Sequence, residues 1–461
     1  MGLSPHPSSF KDPDGGIFTV KGEIYRYVFE SYKPNFDFFI SSGLYSELVS
    51  KALLVPHTEV DPTSVDQAEK KLYRVLKPQV IPFISYPYEW GFEQLKAAAL
   101  LTLEIQLSAL EKGMSLKDAT AYNVQFNGTK PVFIDTLSFE IYEENKPWQA
   151  YGQFCRHFLG PLLLWAYRKH EIANLNLKYP DGIPLNVISY SLPFKTKFNF
   201  SIFSHIHYHS KLEKKLGTNS SKKLKELRLG KTRLVAILTH LKNYIRQLKA
   251  GENASPWVNY YETFSYSDQA FKQKKSLVES LVNEVSPANI IDIGCNDGEF
   301  SLLCAEKAQL VVSVDSDASV VNNLYNKASG TAIGNILPLV VDITNPSPGT
   351  GLNNQERTSF LKRGNFDMVL ALALLHHVTI GNNVPFDLFA KQLSEIASSL
   401  IIEFVPKEDP QAQRLLVTRK DIFTDYNLQG FTKAFSKFFV IRQQHEIGNT
   451  GRKLFLMQKH A

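Results

Sequence analysis

The chain has 461 residues, 44% of them apolar and 21% charged, with a net charge of +6. These values describe a soluble globular protein with room for two or three separate cores. Three cysteines, Cys155, Cys295 and Cys304, exclude a disulfide framework and give no metal-ligand spacing, and the longest apolar run, Phe158–Tyr167, is too short to cross a bilayer. The start, Met1-Gly2-Leu3-Ser4-Pro5-His6, lacks the basic and apolar regions of a signal peptide, and Pro5 and His6 spoil a myristoylation pattern. A reducing cytoplasm is the expected setting.

In chain order, a Pro/Gly-rich lead-in ends at Asp14-Gly15-Gly16, and Ile17–Val20 and Ile24–Phe29 read as a hairpin turned at Lys21-Gly22. Phe36–Ala52 has helical spacing, Pro56–Pro62 is a break, and Tyr73–Tyr88 reads as strands and turns because Pro78, Pro82 and Pro87 interrupt it. Glu89–Gly113 carries apolar residues at helical intervals from Phe92 to Leu110, with Gly113 as its stop.

The stretch Asp118-Ala-Thr-Ala-Tyr-Asn123, the turn Asn127-Gly128 and the strand end at Asp135 follow. Asp-x-x-x-x-Asn with a later Asp at a strand end resembles the catalytic loop and metal-binding Asp of protein-kinase-like phosphotransferases. The resemblance implies Asp118 as acceptor of a substrate hydroxyl proton, and Asn123 and Asp135 as ligands of Mg2+ beside ATP. The sequence departs from that pattern in lacking a Gly-rich loop, in having no His-Arg before Asp118, and in Thr136-Leu137 after Asp135. Without the resemblance, Asp118 and Asn123 read as a closed turn and Asp135 as a strand end.

Trp148, Phe154, Phe158 and Trp165 read as helical core. His205, His207 and His209 alternate, so a strand would place them on one face for a metal, while a helix or loop would not. Lys211–Ala250 concentrates the positive charge, with 12 Lys and Arg against Glu213 and Glu226, and leaves the remainder net acidic. It reads as a basic, largely helical connector with a break at 217–221. RNA or another polyanion is the partner such a segment would take.

Aromatic residues at Pro256–Tyr261 and Phe264–Tyr266 precede a helix at Asp268–Val285. Strands are then predicted at Asn289–Ile293, Leu310–Val314, Ile336–Val341, Phe366–Ala371 and Leu400–Phe404, with helical segments between them and a final hairpin turned at Asn449-Thr-Gly451. The alternation predicts a doubly wound parallel sheet whose ligand crevice lies at the carboxyl ends of the strands. The first strand runs into Asp292-x-Gly294-x-Asn296-x-Gly298, and the second ends at Asp315. This pattern resembles the opening motif of class I S-adenosylmethionine-dependent methyltransferases. The resemblance implies S-adenosyl-L-methionine as cofactor, held by Asp292, Gly294, Asn296, Gly298, Asp315 (ribose), Asp342 (adenine) and Ala371. Glu403 ends the fifth strand on the side expected to face substrate. His376 and His377, just after the fourth strand, are the residues with the ordinary basicity to take a proton from an oxygen or nitrogen acceptor. Cys295 and Cys304 lie in the turn and on the next helix, away from where a nucleophile would act.

The expected fold class is α/β: a C-terminal Rossmann-like methyltransferase sheet (251–461), preceded by an α+β kinase-like domain (1–210) and the connector (211–250). The whole chain is similar to bacterial two-part methyltransferases, some of them nodulation-related. That predicts methylation of an acceptor, oxygen or nitrogen before carbon, with the first domain recognising substrate. The alternatives are a bifunctional methyltransferase and phosphotransferase, or a non-catalytic polyanion binder.

Overall fold

A computed structural model describes residues 4–61, 71–168, 174–216, 228–251, 266–331, 333–417 and 420–460. The aromatic stretch from Pro256 to Phe264 and the 217–221 break lie outside the described residues. The chain divides into two compact units, one formed by Met1–Phe126, Pro131–Asn253 and Gly349–Arg357, the other by Asn127–Lys130, Ala254–Pro348 and Thr358–Ala461.

In the first unit, β1 (Ser4–Pro5), β2 (Gly15–Val20), β3 (Glu23–Phe29), β4 (His57–Val60) and β5 (Leu72–Pro78) form an antiparallel sheet in the order β1-β2-β3-β5-β4. The predicted hairpin is present and turns through Lys21 and Gly22, both at positive φ. The helix predicted at Phe36–Ala52 is two helices, Lys33–Ser41 and Leu44–Ser50, because Gly43 between them sits at φ 77°. Phe92–Glu111 is one long helix, closed by Gly113 at φ 76°. Past it come β6 (Met114–Leu116), β7 (Val124–Asn127), β8 (Lys130–Phe133) and β9 (Phe139–Ile141), paired β6 with β9 and β7 with β8.

Two sequence readings can be placed on the structure. His205 and His207 lie in a π-helical turn (Phe203–Tyr208) and His209 opens the helix His209–Leu216, in keeping with the helix-or-loop reading, so no shared strand face exists. His205 bonds the Tyr151 hydroxyl, and His207 is held between Ser189 and Thr196, 2.8 and 2.9 Å away. The second concerns the basic connector. Its helix Lys231–Gln247 buries Leu234, Leu238, Leu241 and Ile245 and pairs Lys242 with Glu104, so it is a packed member of the first unit. A leucine or isoleucine every third or fourth residue makes that apolar stripe.

The second unit is built on a seven-stranded sheet of β10 (Asn289–Ile293), β11 (Leu310–Asp315), β12 (Ile336–Val340), β13 (Phe366–Ala371), β14 (Ala397–Phe404), β15 (Phe439–Glu446) and β16 (Lys453–Lys459). Its order is β12-β11-β10-β13-β14-β16-β15; the first five strands are parallel, and β16 and β15 close the edge as an antiparallel hairpin. Continuous Ile, Val and Leu runs suit strands covered on both faces. The order reverses at β10, between β11 and β13, which opens a crevice at the carboxyl ends.

Candidate functional site

A cleft of about 280 Å³ opens at that reversal, lined by residues that follow β10, β11, β12 and β13 and by the start of the helix Asp268–Val285. Ile290, Ile291 and Ile293 anchor β10 in the core, and the chain then turns through Gly294 (φ 76°), Asn296 (φ 49°) and Gly298 (φ 88°). Gly294 lines the cleft; a Cβ there would stand 3.1 Å from Leu374 Cδ1. Gly298 does not line it. Its missing Cβ makes room for Leu324, whose Cδ1 would lie 2.2 Å away, so this glycine serves packing of the helix Ala318–Ser329.

Asp315 ends β11 at the cleft. Its oxygens accept the Asn296 N–H at 3.0 Å and the Asp317 N–H at 2.9 Å, which fixes the carboxylate against the glycine turn. Burial raises its pKa to about 6, against the lowering effect of those backbone bonds. Asp292 also faces the cleft and takes the Ser301 hydroxyl at 2.6 Å; burial, with the Asp315 charge added, raises it to about 6. Neither carboxylate forms an ion pair among the described residues. Asp342 lines the cleft and accepts both the Thr344 N–H and hydroxyl, at 2.8 and 2.7 Å.

Ala371 lies elsewhere. It is fully buried inside β13, and the wall is made by Leu372, Ala373 and Leu374. Ala373 sits at φ 50°, a left-handed conformation uncommon for a residue with a Cβ, and its N–H donates to Glu403 at 3.0 Å. Of the two histidines, His377 reaches the cleft, whereas His376 is fully buried, with neither ring nitrogen hydrogen-bonded among the described residues. Burial and Arg452 lower His377 to about 4, so its ring is neutral at pH 7. Cys295 lines the cleft and Cys304 does not; burial pushes both thiols up, which keeps them protonated.

Behind the wall lies a buried ionic cluster. Glu403 pairs with Lys274 at 2.7 Å and Arg452 at 3.2 Å, and the Tyr266 hydroxyl donates to it. Arg452 also grips Asp409 through two bonds of 2.7 and 3.0 Å. Burial alone would raise Glu403, but its two cations hold it at about 2. Glu403 is thus engaged inside the protein and absent from the cleft lining, contrary to the expectation that it faces substrate.

In the first unit, Asp118, Asn123 and Asp135 come together. Asn123 donates to Ser138 at 3.0 Å, and Ser138 donates to Asp135; Asp118 accepts the Thr120 N–H at 3.0 Å and feels the Asp135 charge. Asp135 is paired with Arg26 of β3, and although burial opposes it, the guanidinium holds the carboxyl below its usual range. Asp118, raised by burial, is the more easily protonated of the two. Among the described residues no group of three or more His, Cys, Asp or Glu is arranged to hold a metal ion, and no helix is long and apolar enough to cross a membrane.

No protein-family model matches the chain. Over its entire length the chain is 35% identical to the nodulation protein NoeA of Rhizobium meliloti (strain 1021), of which it covers 98%. The chain belongs to the NoeA family. Over 27% of its length this NoeA-family chain is also 24% identical to the O-antigen chain terminator bifunctional methyltransferase/kinase WbdD of Escherichia coli, covering 16% of that protein. Superposition on the N-methyltransferase NodS of Bradyrhizobium japonicum WM9 gives a TM-score of 0.32 at 10% identity, over 42% of this chain and 99% of that one. On the magnesium protoporphyrin IX methyltransferase ChlM of Synechocystis PCC 6803 the TM-score is 0.30 at 16% identity, over 48% and 92%.

Sequence reasoning missed Lys274, Ala373 and Arg452 in this NoeA-family site. Lys274 carried a readable signal: it falls between Ala270 and Val278, on the stripe that the helix Asp268–Val285 buries. A lysine on an apolar stripe needs a buried partner. Arg452, at the start of β16, and the left-handed Ala373 carried none.

Proposed function

We propose that the C-terminal unit is an S-adenosyl-L-methionine-dependent methyltransferase acting on an oxygen or nitrogen acceptor, and that the first unit is a kinase-like module that recognises or scaffolds the substrate. One observation carries the reading: Asp315, at the end of the second strand, is locked by the Asn296 N–H against a left-handed glycine turn inside a cleft at the sheet's switch point. The cleft's charge also fits a cationic ligand. Lys274 and Arg452 are matched by Glu403 and Asp409, so Asp292 and Asp315 leave the cleft net acidic.

Asp315 would hold the ribose hydroxyls, Asp342 the adenine end, and the turn Gly294–Asn296 with Leu372–Leu374 the methionine part. When bound, the cofactor supplies a methyl group activated by a sulfonium. The protein's share is to align the acceptor and keep water out. His377, neutral at pH 7 and on the cleft wall, is the candidate acceptor of a proton from a hydroxyl; His376, buried, is a positioning residue through its ring contact with His377, centroids 4.1 Å apart. Calorimetry with S-adenosylhomocysteine tests the site: Asp315→Ala and Asp292→Ala abolish binding, and unchanged affinity in both would refute it.

The clustering of Asp118, Asn123 and Asp135 favours a second reading, that the first unit also binds ATP and Mg2+ and transfers phosphate. The partial similarity to a bifunctional methyltransferase/kinase supports it. It requires Asp135 to exchange Arg26 for a metal ion. Equilibrium dialysis is expected to find Mg2+-dependent ATP binding that Asp135→Ala removes; no uptake at millimolar ATP would leave a non-catalytic module.

A further inference from the structure

The first unit carries, on residues 190–208, an aromatic surface that neither the cleft nor the Asp118 cluster uses. Tyr190, Phe194, Phe198 and Phe200 are 92, 68, 81 and 77% exposed, and Phe203 and Tyr208 are part of the same segment at 37 and 51%. Single exposed apolar residues are ordinary, but these six rings fall within nineteen residues and four of them touch in pairs, Phe194 with Phe198 at 5.7 Å and Phe203 with Tyr208 at 6.3 Å between centroids. The segment is not fraying. Its inward residues Thr196, Ile202, Ile206 and His207 are buried, and the Thr196 hydroxyl bonds both the Pro193 carbonyl (2.6 Å) and His207 (2.9 Å). Asn199 caps the helical turn that starts at Phe200 by accepting the Ile202 N–H at 3.1 Å. The inner face is pinned and the aromatic face is held outward.

The charge around the rings selects the partner. From Gly182 to Leu212 there is no Asp or Glu, while Lys195, Lys197 and Lys211 are present. Lys197 stands 4.6 Å from the Phe194 ring centroid, and Phe194 and Phe198 meet edge to face at 5.7 Å. Phenylalanines and tyrosines with lysines set among them and no acid match the boundary between acyl chains and anionic headgroups. Sugar rings would instead call for carboxylate and amide acceptors around the aromatics. We propose that this surface docks the protein peripherally on an anionic phospholipid membrane, with Phe194, Phe198 and Phe200 entering the interface and Lys195 and Lys197 meeting the headgroups.

Sedimentation of the full chain with vesicles tests this. Binding to equimolar phosphatidylcholine and phosphatidylglycerol is expected to exceed binding to phosphatidylcholine alone and to weaken with salt. Lys195→Gln with Lys197→Gln loses about fivefold per lysine on the anionic vesicles. Phe194→Ser, Phe198→Ser and Phe200→Ser combined lose at least about tenfold. Because these side chains are exposed, the thermal melt of the triple variant stays that of the parent, which separates lost docking from lost folding. The proposal is overturned if the parent stays in the supernatant with anionic vesicles at low salt, if the triple variant binds as the parent does, or if light scattering shows that the triple variant has dissociated from a dimer.

Discussion

Replacing Asp292 by asparagine should stabilise the protein while destroying its proposed function. The carboxylate is fully enclosed, its pKa moved from 3.8 to about 6 by burial and by Asp315. The folded state therefore holds this proton more tightly than the unfolded chain, so its contribution is fully present below pH 3.8 and lost as the pH rises to about 6. At pH 7 that loss amounts to about 3 kcal/mol, and at pH 5 to about 1.5 kcal/mol. Asparagine keeps an oxygen for the Ser301 hydroxyl and carries no charge to bury. Urea-dependent hydrogen exchange of the β10 amides should show Asp292→Asn more protected than the parent at pH 7.5, with a gain about half as large at pH 5. A variant less protected at pH 7.5, or a gain independent of pH, would refute the reasoning.

S-Adenosylhomocysteine affinity is expected to fall below pH 6, by about tenfold at pH 5 for each of Asp292 and Asp315 that must ionise, and a flat calorimetric profile between pH 5 and 7.5 would contradict this. Gly298→Ala pushes a Cβ into Leu324 at positive φ and should cost about 1–3 kcal/mol, part of it returned by Leu324→Ala in the double variant, as read from denaturation midpoints. Glu403→Gln leaves Lys274 buried without its carboxylate, while Arg452 keeps Asp409, and should cost about 3–5 kcal/mol; adding Lys274→Met should recover a measurable part, and additive losses would show that the pair is not coupled.

What could be read from the sequence was whatever repeats locally. The five parallel strands stand within a few residues of the apolar runs that announced them, because a strand covered on both faces needs an unbroken apolar sequence. Asp292, Gly294, Asn296, Asp315 and Asp342, singled out for lying at or just past the carboxyl ends of such strands, line one cleft. Gly298 and Ala371 were assigned to the cleft by the same logic, and the structure gives them to packing. The split at Gly43 needed only one glycine, which a helical count passes over. The ionic cluster was hidden for a different reason. Its members come from the helix Asp268–Val285, β14, the Asp409 turn and the start of β16, and only tertiary folding brings them together.

The Glu403 carboxylate accepts from the Ala373 amide in the cleft wall and from the Arg452 guanidinium beside β16. The wall's shape is thus underwritten by a hairpin that contributes no residue to the cleft lining. Shortening Arg452 leaves Glu403 with Lys274 as its remaining cation and loosens the carboxylate that holds the left-handed Ala373 in place. A substitution at the C-terminal hairpin should therefore be felt at the cleft.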